Sequence, residues 1–179
     1  IPYYMSYLEG EDKRDYVEDV RKIQDYAEWN RQVIVREILK GMKWKAVEQF
    51  SVAHNYLDDR GILRKGAISA RKGEQLVIPI HMRDGVILGV GKGNPEWNES
   101  APHGSGRRMK REEVKNQYTV SQFKKEMKGI YSTCVGTGTL DEAPFAYRSL
   151  EMILEQIQDT VKVTEVLKPV YNFKAGSQN

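Results

Sequence analysis

Residues 74–93 read EQLVIPIHMRDGVILGVGKG, and this stretch decides the fold of the middle of the chain. Two apolar runs flank the dipeptide Asp84-Gly85. An Asp-Gly pair between two such runs is a strong local signal for a β-hairpin, because the turn needs residues that tolerate positive φ. The stretch therefore predicts two antiparallel strands joined at this turn.

Two further β-rich segments precede this hairpin. They are AVEQFSVA at 46–53 and GILRKGAIS at 61–69, both followed by turn-forming residues. Together, the segments between residues 47 and 93 predict an antiparallel β meander. The next residues, 93–106, are mostly turn formers. A structureless loop of this length in a compact domain is usually functional.

Helical periodicity dominates both ends of the chain. Residues 11–40 carry an apolar stripe at three- and four-residue steps, and Gly41 is a typical C-terminal stop for such a helix. The stripe consists of Tyr16, Val20, Ile23, Ala27, Ile34 and Ile38. Further helices are predicted over 110–118, over 143–158, and from Ser121 after the capping box Thr119-x-x-Gln122.

Shorter elements complete the fold prediction. A strand near Gly129 leads into a Gly/Thr loop at 136–139, and a last strand over 161–173 precedes a flexible tail, AGSQN. We expect an α+β fold, an antiparallel meander with packed helices, in a single domain over 1–179. Its parts are a helical entry at 1–46, a β-rich catalytic core at 47–109 and an α/β region at 110–179.

Composition narrows the class of protein. With 40% hydrophobic and 30% charged residues, the chain is typical of a soluble globular protein rather than a disordered or membrane-spanning one. Its longest apolar runs, LVIPI and GVILGV, are far too short to cross a bilayer. The first residues do not resemble a signal peptide, and one cysteine, Cys134, excludes an internal disulfide. We therefore expect a cytoplasmic protein with no membrane partner.

Charge is distributed unevenly along the chain. Residues 1–28 are acidic, whereas residues 60–73 hold five Lys/Arg and no acid, and residues 103–128 hold eight Lys/Arg against three Glu. Such asymmetry favours a polyanionic partner such as nucleic acid or a nucleotide phosphate. The alternative is that these charges form the solvated faces of unrelated helices.

The motif APHGSGRRM at 101–109 places His103 in a setting suited to phosphate chemistry. Gly104 and Gly106 allow close approach to a ligand, and successive backbone N–H groups in such a turn can bind an anion. Arg107, Arg108 and Arg111 add positive charge that pairs well with phosphate. A neutral imidazole can also attack phosphorus to give a covalent intermediate. The alternative is an ordinary loop histidine in a basic stretch.

The other two histidines carry weaker signals. His54 comes after an apolar segment and precedes Asn55, which suits a ligand at the end of a strand. His81 lies just before the predicted hairpin turn, where a partly buried imidazole is favoured. There is no HxH, HExxH or CxxC pattern, so a self-contained zinc site is not expected.

Several motifs in order along essentially the whole chain resemble the RtcB family of RNA-splicing ligases. They are HNY at 54–56, RKGAISARKGE at 64–74, IPIHMRDG at 78–85, GKGNPEWN at 91–98, SAPHGSGRRM at 100–109, DEAPFAY at 141–147 and the final FKAG. The resemblance implies the C-terminal half of the RtcB-like fold. It also implies an enzyme that uses GTP and Mn²⁺ to join RNA ending in a 2′,3′-cyclic phosphate or 3′-phosphate to RNA with a 5′-hydroxyl.

By motif match, His103 is the nucleophile that becomes guanylylated before GMP passes to the RNA 3′-phosphate. The resemblance assigns the guanylate to Gly104, Ser105 and Gly106, a manganese ligand to His54 and a nucleotide contact to Asn55. Tyr147 and Lys174 match residues that hold the guanine. In the family, the stretch on the guanine side is commonly PGSM followed by a serine. Here the same positions are Pro79, Ile80, His81, Met82 and Val86, whose backbone groups remain available for contacts.

The resemblance covers only the C-terminal half of a family member. The other half normally supplies further metal ligands, an Asp, a Cys and two His, together with an Asn-His element that holds nucleotide. We therefore expect that catalysis needs the N-terminal half as a partner and that the isolated chain is inactive. Two alternatives stay open, a nucleotide- or RNA-binding module without ligase activity and a stable but inactive remnant.

Overall fold

The computed structural model describes residues 6–174 and confirms the α+β prediction. These residues fall into two compact units, divided between Lys65 and Gly66. That the chain forms a single domain stays a prediction. The tail AGSQN at 175–179 lies outside the described residues. Within the described part, no helix combines the length and apolar character needed to cross a membrane.

The first unit consists of one long helix and a small hairpin. Helix α1 spans Gly10–Met42, and strands β1 (Asn55–Leu57) and β2 (Leu63–Lys65) pair antiparallel. The predicted stop, Gly41, lies inside the last turn of α1, and the helix is instead capped by Lys43, whose φ of +56° is left-handed. The helix prediction is otherwise confirmed.

The strand predicted over 46–53 is wrong, because these residues have irregular backbone and are mostly exposed. A strand needs a hydrogen-bonding neighbour. Among the described residues of this unit, the strands β1 and β2 pair with each other. The alternating pattern of the segment therefore has no sheet edge to join within its own unit.

The second unit is built on the predicted hairpin. Strands β4 (Gln75–Pro79) and β5 (Val86–Gly91) pair antiparallel, and β8 (Val161–Leu167) adds to the other edge of β5. Gly85 in the turn has a φ of +82°, and a Cβ there would lie 1.9 Å from the Leu167 carbonyl oxygen. The glycine of the Asp-Gly signal is thus required both by the turn and by the neighbouring strand.

Two smaller pairings complete the sheets. Strand β3 (Ala67–Ser69) pairs antiparallel with β6 (Ser100–Pro102), and β7 (Tyr131–Ser132) pairs in parallel with β9 (Tyr171–Asn172). The predicted meander is therefore divided into two separate hairpins, β1–β2 and β4–β5, because β3 pairs with β6 instead of with its neighbours in sequence. The loop predicted over 93–106 is not structureless, since it holds a 3₁₀ turn at Pro95–Trp97 and strand β6.

Three short helices pack around these strands. They are α2 (Arg111–Gln117), α3 (Val120–Glu126) and α4 (Leu150–Gln156). The capping box of α3 is confirmed, with Thr119 and Gln122 bonding each other's backbone N–H. The helix predicted over 143–158 starts late, because Pro144–Ala146 forms a 3₁₀ turn and Ser149 caps α4.

A packed apolar core links the hairpin turn to the segment before α4. Met82 in the turn belongs to one buried cluster with Phe123, Met127, Leu140 and Ala143. Because each of these side chains is at most 5% exposed, the turn after β4 and the 3₁₀ segment Thr137–Glu142 are held at fixed positions. Both segments contribute to the lining of a cavity in the second unit, Met82 from the turn and Glu142 from the 3₁₀ segment.

Candidate functional site

His103 lies immediately after strand β6 and is exposed. Its Nδ1 atom is 2.7 Å from the carbonyl oxygen of Gly66, the residue before β3. A carbonyl oxygen can only accept a hydrogen bond, so Nδ1 carries the proton. In the neutral ring the lone pair is then at Nε2, which is the atom a nucleophilic imidazole uses in this tautomer.

The residues after His103 are docked onto the end of strand β4. Ser105 is 3% exposed; its N–H donates to the Pro79 carbonyl at 3.1 Å and its hydroxyl donates to the Ile80 carbonyl at 2.7 Å. Gly106 has a φ of +67°, and a Cβ there would lie 2.5 Å from Nη1 of Arg148. The HGSG motif is therefore a fixed turn rather than a flexible loop.

A cavity of about 330 Å³ opens beside this turn. Its lining comes from residues 79–86, from the DEAPFAY segment and from residues 167–174. The lining includes Pro79, Ile80, His81, Met82, Glu142, Tyr147 and Lys174. The structure thus brings together all six residues that the sequence assigned to the guanine side. Ser105 ties the HGSG turn to the same wall.

Tyr147 is held on the cavity wall by charged neighbours. Its hydroxyl donates to Oε2 of Glu142 at 2.6 Å, and the Arg107 guanidinium lies 4.8 Å from the ring centroid. Burial, together with the hydrogen bond and the negative charge of Glu142, raises the pKa of the Tyr147 phenol well above its usual value of 10.0. The phenol therefore remains a neutral donor.

Glu142 is a site residue that the sequence reasoning missed. Its Oε1 atom accepts from Arg107 and lies 3.2 Å from Nη1 of Arg111, and its Oε2 atom lies 3.5 Å from Nζ of Lys174. The available signal was the acidic pair in DEAPFAY, which stands before Pro144 and close to Tyr147 in sequence.

The arginines of the motif have a different environment from the one expected. Arg107 and Arg111 both pair with Asp141 and Glu142 rather than standing as uncompensated charge for a phosphate. Arg108 is exposed. The basic stretch at 103–128 is therefore partly neutralised by acids that come later in the chain.

His81 is buried, which agrees with the interpretation favoured from the sequence. Its side chain is 1% exposed, and Nε2 lies 3.1 Å from Oδ2 of Asp84. Burial lowers the pKa of the His81 imidazole, and the nearby Asp84 carboxylate opposes this in part. The residue lies in the turn after β4, where it lines the cavity wall.

His54 and Asn55 lie in the first unit. His54 occupies a bend before β1 and is exposed, and Asn55 is the first residue of β1, opposite Lys65. Among residues 6–174 no group of three or more His, Cys, Asp or Glu side chains could hold a metal ion. The described part of the chain therefore does not supply a full ligand set for Mn²⁺, and the metal role of His54 stays a prediction.

The chain is similar to curated proteins named as RNA-splicing ligases. It is 28% identical to the RNA-splicing ligase RtcB1 of Escherichia coli strain ATCC 25922 and 27% identical to the RNA-splicing ligase RtcB of strain K12. Each match covers 95% of this chain and 45% of the relative. The tRNA-splicing ligase RtcB of Aeropyrum pernix is 34% identical over 46% of this chain and 18% of its own length.

The family itself is shown by a second match. The family model described as tRNA-splicing ligase RtcB matches residues 4–175, and the chain belongs to this family. The family resemblance inferred from the motifs is therefore confirmed. The chain spans about half the length of the E. coli relatives it matches.

Proposed function

We propose that this chain is the guanylate-accepting part of an RNA ligase. The ligase joins RNA ending in a 2′,3′-cyclic phosphate or 3′-phosphate to RNA with a 5′-hydroxyl, with GTP as co-substrate. His103 is the nucleophile, and the cavity between Pro79–Met82 and Tyr147 receives the guanine. The names of the relatives support RNA ligation as the class of reaction.

The observation that carries the proposal is the orientation of His103. The Nδ1 hydrogen bond to Gly66 leaves the lone pair of the neutral ring at Nε2. The next two residues dock on the wall of the cavity through Ser105. Because Ser105 bonds Pro79 and Ile80 of the cavity lining, we infer that a nucleotide whose base occupies the cavity extends its phosphates toward the HGSG turn.

The proposed chemistry begins with attack of Nε2 on the α-phosphorus of GTP. An N–P bond forms, the bond from the α-phosphorus to the bridging oxygen breaks, and pyrophosphate leaves with that electron pair. An oxygen of the RNA 3′-phosphate then attacks the same phosphorus, so that a P–O bond forms and the N–P bond to His103 breaks; a 2′,3′-cyclic phosphate is first opened by water to this 3′-phosphate. The 5′-hydroxyl attacks this activated phosphate, loses its proton, and displaces GMP as the new phosphodiester forms.

Completion of the site needs groups beyond those of residues 6–174. We propose Mn²⁺ as a cofactor and His54 as one ligand, because the resemblance assigns a metal ligand to this position. Manganese requires several ligands. We therefore propose that the remaining ligands come from polypeptide equivalent to the other half of the longer relatives, and that ligation depends on it.

Covalent labelling tests the proposal. The chain is incubated with Mn²⁺ and GTP labelled at either the α- or the γ-phosphate, with and without the uncovered half of the E. coli K12 relative, and then denatured. We expect acid-labile label on the chain with α-labelled GTP and none with γ-labelled GTP, because the γ-phosphate leaves with pyrophosphate. The label should disappear in His103→Asn, which keeps a side-chain donor for the Gly66 carbonyl but lacks the nucleophile.

Two results separate the proposal from its alternative. If the two polypeptides associate and the α-label still does not attach to the chain, the ligase proposal is wrong. If GMP or RNA binds without any covalent label, the chain is a nucleotide- or RNA-binding module. RNA binding of that kind should weaken steeply with added salt, since it depends on phosphate contacts.

A further inference from the structure

Glu142 occupies a central position among the polar groups of the guanine-side cavity. Its carboxylate contacts four side chains: Arg107, Arg111, Tyr147 and Lys174. Two of these, Tyr147 and Lys174, are the residues assigned to the guanine, and both contact the same oxygen, Oε2. Among the described residues that line this cavity, Glu142 is the one with an acidic side chain.

The geometry points to Glu142 as the positioning residue of the nucleotide pocket, which fixes the Tyr147 hydroxyl and the Lys174 ammonium on the pocket wall before the base binds. The inference rests on the proposed function, because it concerns the same pocket. Arg107 and Arg111 hold the carboxylate from its other oxygen.

The arrangement of the arginines explains how the carboxylate can act in this way. Arg107 contacts Oε1 of Glu142, donates to the Asp141 backbone carbonyl at 2.6 Å, and lies against the Tyr147 ring. The backbones of Arg107 and Tyr147 also pair. The Glu142 side chain is 20% exposed, so these contacts are better shielded from solvent than an ordinary surface ion pair.

Positioning by Glu142 has a consequence for the free pocket. Without the carboxylate, the Tyr147 phenol loses its charged acceptor and Lys174 loses its counterion. Both side chains then sample other rotamers, and binding a base must restrict them again at an entropic cost. The expected effect is therefore on nucleotide affinity, with little effect on the labelling rate of His103 at saturating GTP.

The first measurement uses the free chain and needs no ligand. Tyrosines are labelled with ¹³C at Cζ, and Tyr147→Phe identifies the Tyr147 signal. In the unmodified chain this signal should stay in the neutral form when ordinary tyrosines ionise. In Glu142→Gln the pKa of Tyr147 should fall toward the ordinary value of about 10. An unchanged pKa of Tyr147 would overturn the inference whether or not the chain is a ligase.

The second measurement is the affinity for GMP. Glu142→Gln should raise the Kd for GMP about tenfold, the scale of one charge-assisted hydrogen bond. Glu113→Gln is the matched control, because it removes the same charge from an exposed carboxylate that bonds the Lys110 N–H, and it should leave the Kd unchanged. GMP binding to Glu142→Gln at the original affinity contradicts the inference.

A second variant keeps the test valid if Glu142→Gln does not fold. Tyr147→Phe retains the ring and removes only the hydroxyl that donates to Glu142. It should raise the Kd for GMP several-fold, and an unchanged Kd would overturn the inference. Failure of the ligase proposal is recognised separately, because then the unmodified chain is not labelled by GTP, whether or not it binds GMP.

Discussion

The two units of this chain differ in the contacts that stabilise each of them. In the second unit, side chains such as Ile68, Leu76, Ile78, Ile87 and Phe123 are at most 2% exposed and form a packed apolar interior. In the first unit, helix α1 contains no buried residue over its 33 positions. Polar contacts link α1 to residues 51–57, through Gln24 to the backbone of Leu57 and through Glu28 to Ser51.

The difference bears on function because the predicted site residues are divided between the units. The proposed nucleophile His103 and the proposed guanine-side residues lie in the packed unit, where Met82 belongs both to the buried core cluster and to the cavity lining. The predicted metal ligand His54 and its neighbour Asn55 lie in the unit with polar contacts. The proposed nucleophile and the proposed guanine pocket thus lie on the more closely packed part of the chain, whereas the proposed nucleotide contact Asn55 does not.

The largest effect should come from opening the core of the second unit. Phe123→Ala removes a fully buried ring that packs in the cluster with Met82 and Leu140. We expect the free energy of unfolding to fall by about 3–5 kcal/mol. Chemical denaturation monitored by circular dichroism measures it. Phe173→Ala is the control, because that ring is 73% exposed, and a loss as large as that of Phe123→Ala would contradict the comparison.

A somewhat smaller effect should come from the buried ion pair in the first unit. Oδ2 of Asp58 lies 2.7 Å from Nη1 of Arg64, and both side chains are at most 4% exposed. Asp58→Ala leaves the guanidinium buried without this carboxylate, at a cost of about 3 kcal/mol. It also removes the acceptor for the N–H groups of Arg60 and Ile62.

The double variant Asp58→Ala/Arg64→Met sharpens this prediction. Replacing the guanidinium by an apolar side chain of similar length should recover part of the lost stability, since no buried charge deprived of its carboxylate remains. Asp15→Ala, on an exposed carboxylate of α1, is the control and should change stability by less than about 0.5 kcal/mol. Equal losses in the single and double variants would show that the ion pair is not the source of the effect.

A smaller effect is expected where α1 joins β1. The Gln24 amide accepts from the N–H of Leu57 at 2.7 Å and donates to its carbonyl at 3.1 Å. Gln24→Ala should cost about 1–2 kcal/mol, because both backbone groups lose a partner in a half-buried position. Amide exchange at Leu57 should accelerate in parallel. Gln49→Ala, an exposed glutamine of the same unit, should leave that exchange rate unchanged.

Local signals predicted the parts of the fold that depend on nearby residues. The Asp84-Gly85 turn, the Thr119 capping box and helix α1 all appear in the structure. Pairing between segments that are distant in sequence could not be predicted from such local signals. Strand β6 forms because β3 lies beside it, whereas residues 46–53 have the strand pattern without a neighbouring strand in their unit.

The candidate site shows the same difference between residues that local motifs identify and residues whose role depends on distant contacts. The motif match named the residues after β4, Tyr147 and Lys174, and the structure gathers them around one cavity. Glu142 was missed because its role depends on contacts with residues 32 to 35 positions away, Lys174 and Arg107. Charge counting along the sequence also could not show that Arg107 and Arg111 face Asp141.

The smallest effect concerns the pH dependence of the polar contacts on α1. Hydrogen bonds from Ser51, Gln32 and Arg31 lower the pKa of the Glu28 carboxyl from its usual 4.5 to about 2. Because the folded pKa is the lower one, the stabilisation is complete above about pH 4.5 and is lost as pH falls toward 2. NMR titration of the Glu28 carboxyl carbon measures this.

Ser51→Ala should raise the Glu28 pKa toward 4.5, whereas Ser121→Ala, an exposed serine of the second unit, should not. A Glu28 pKa near 4.5 in the unmodified chain would mean that the polar contacts at Ser51 do not hold this part of the first unit together.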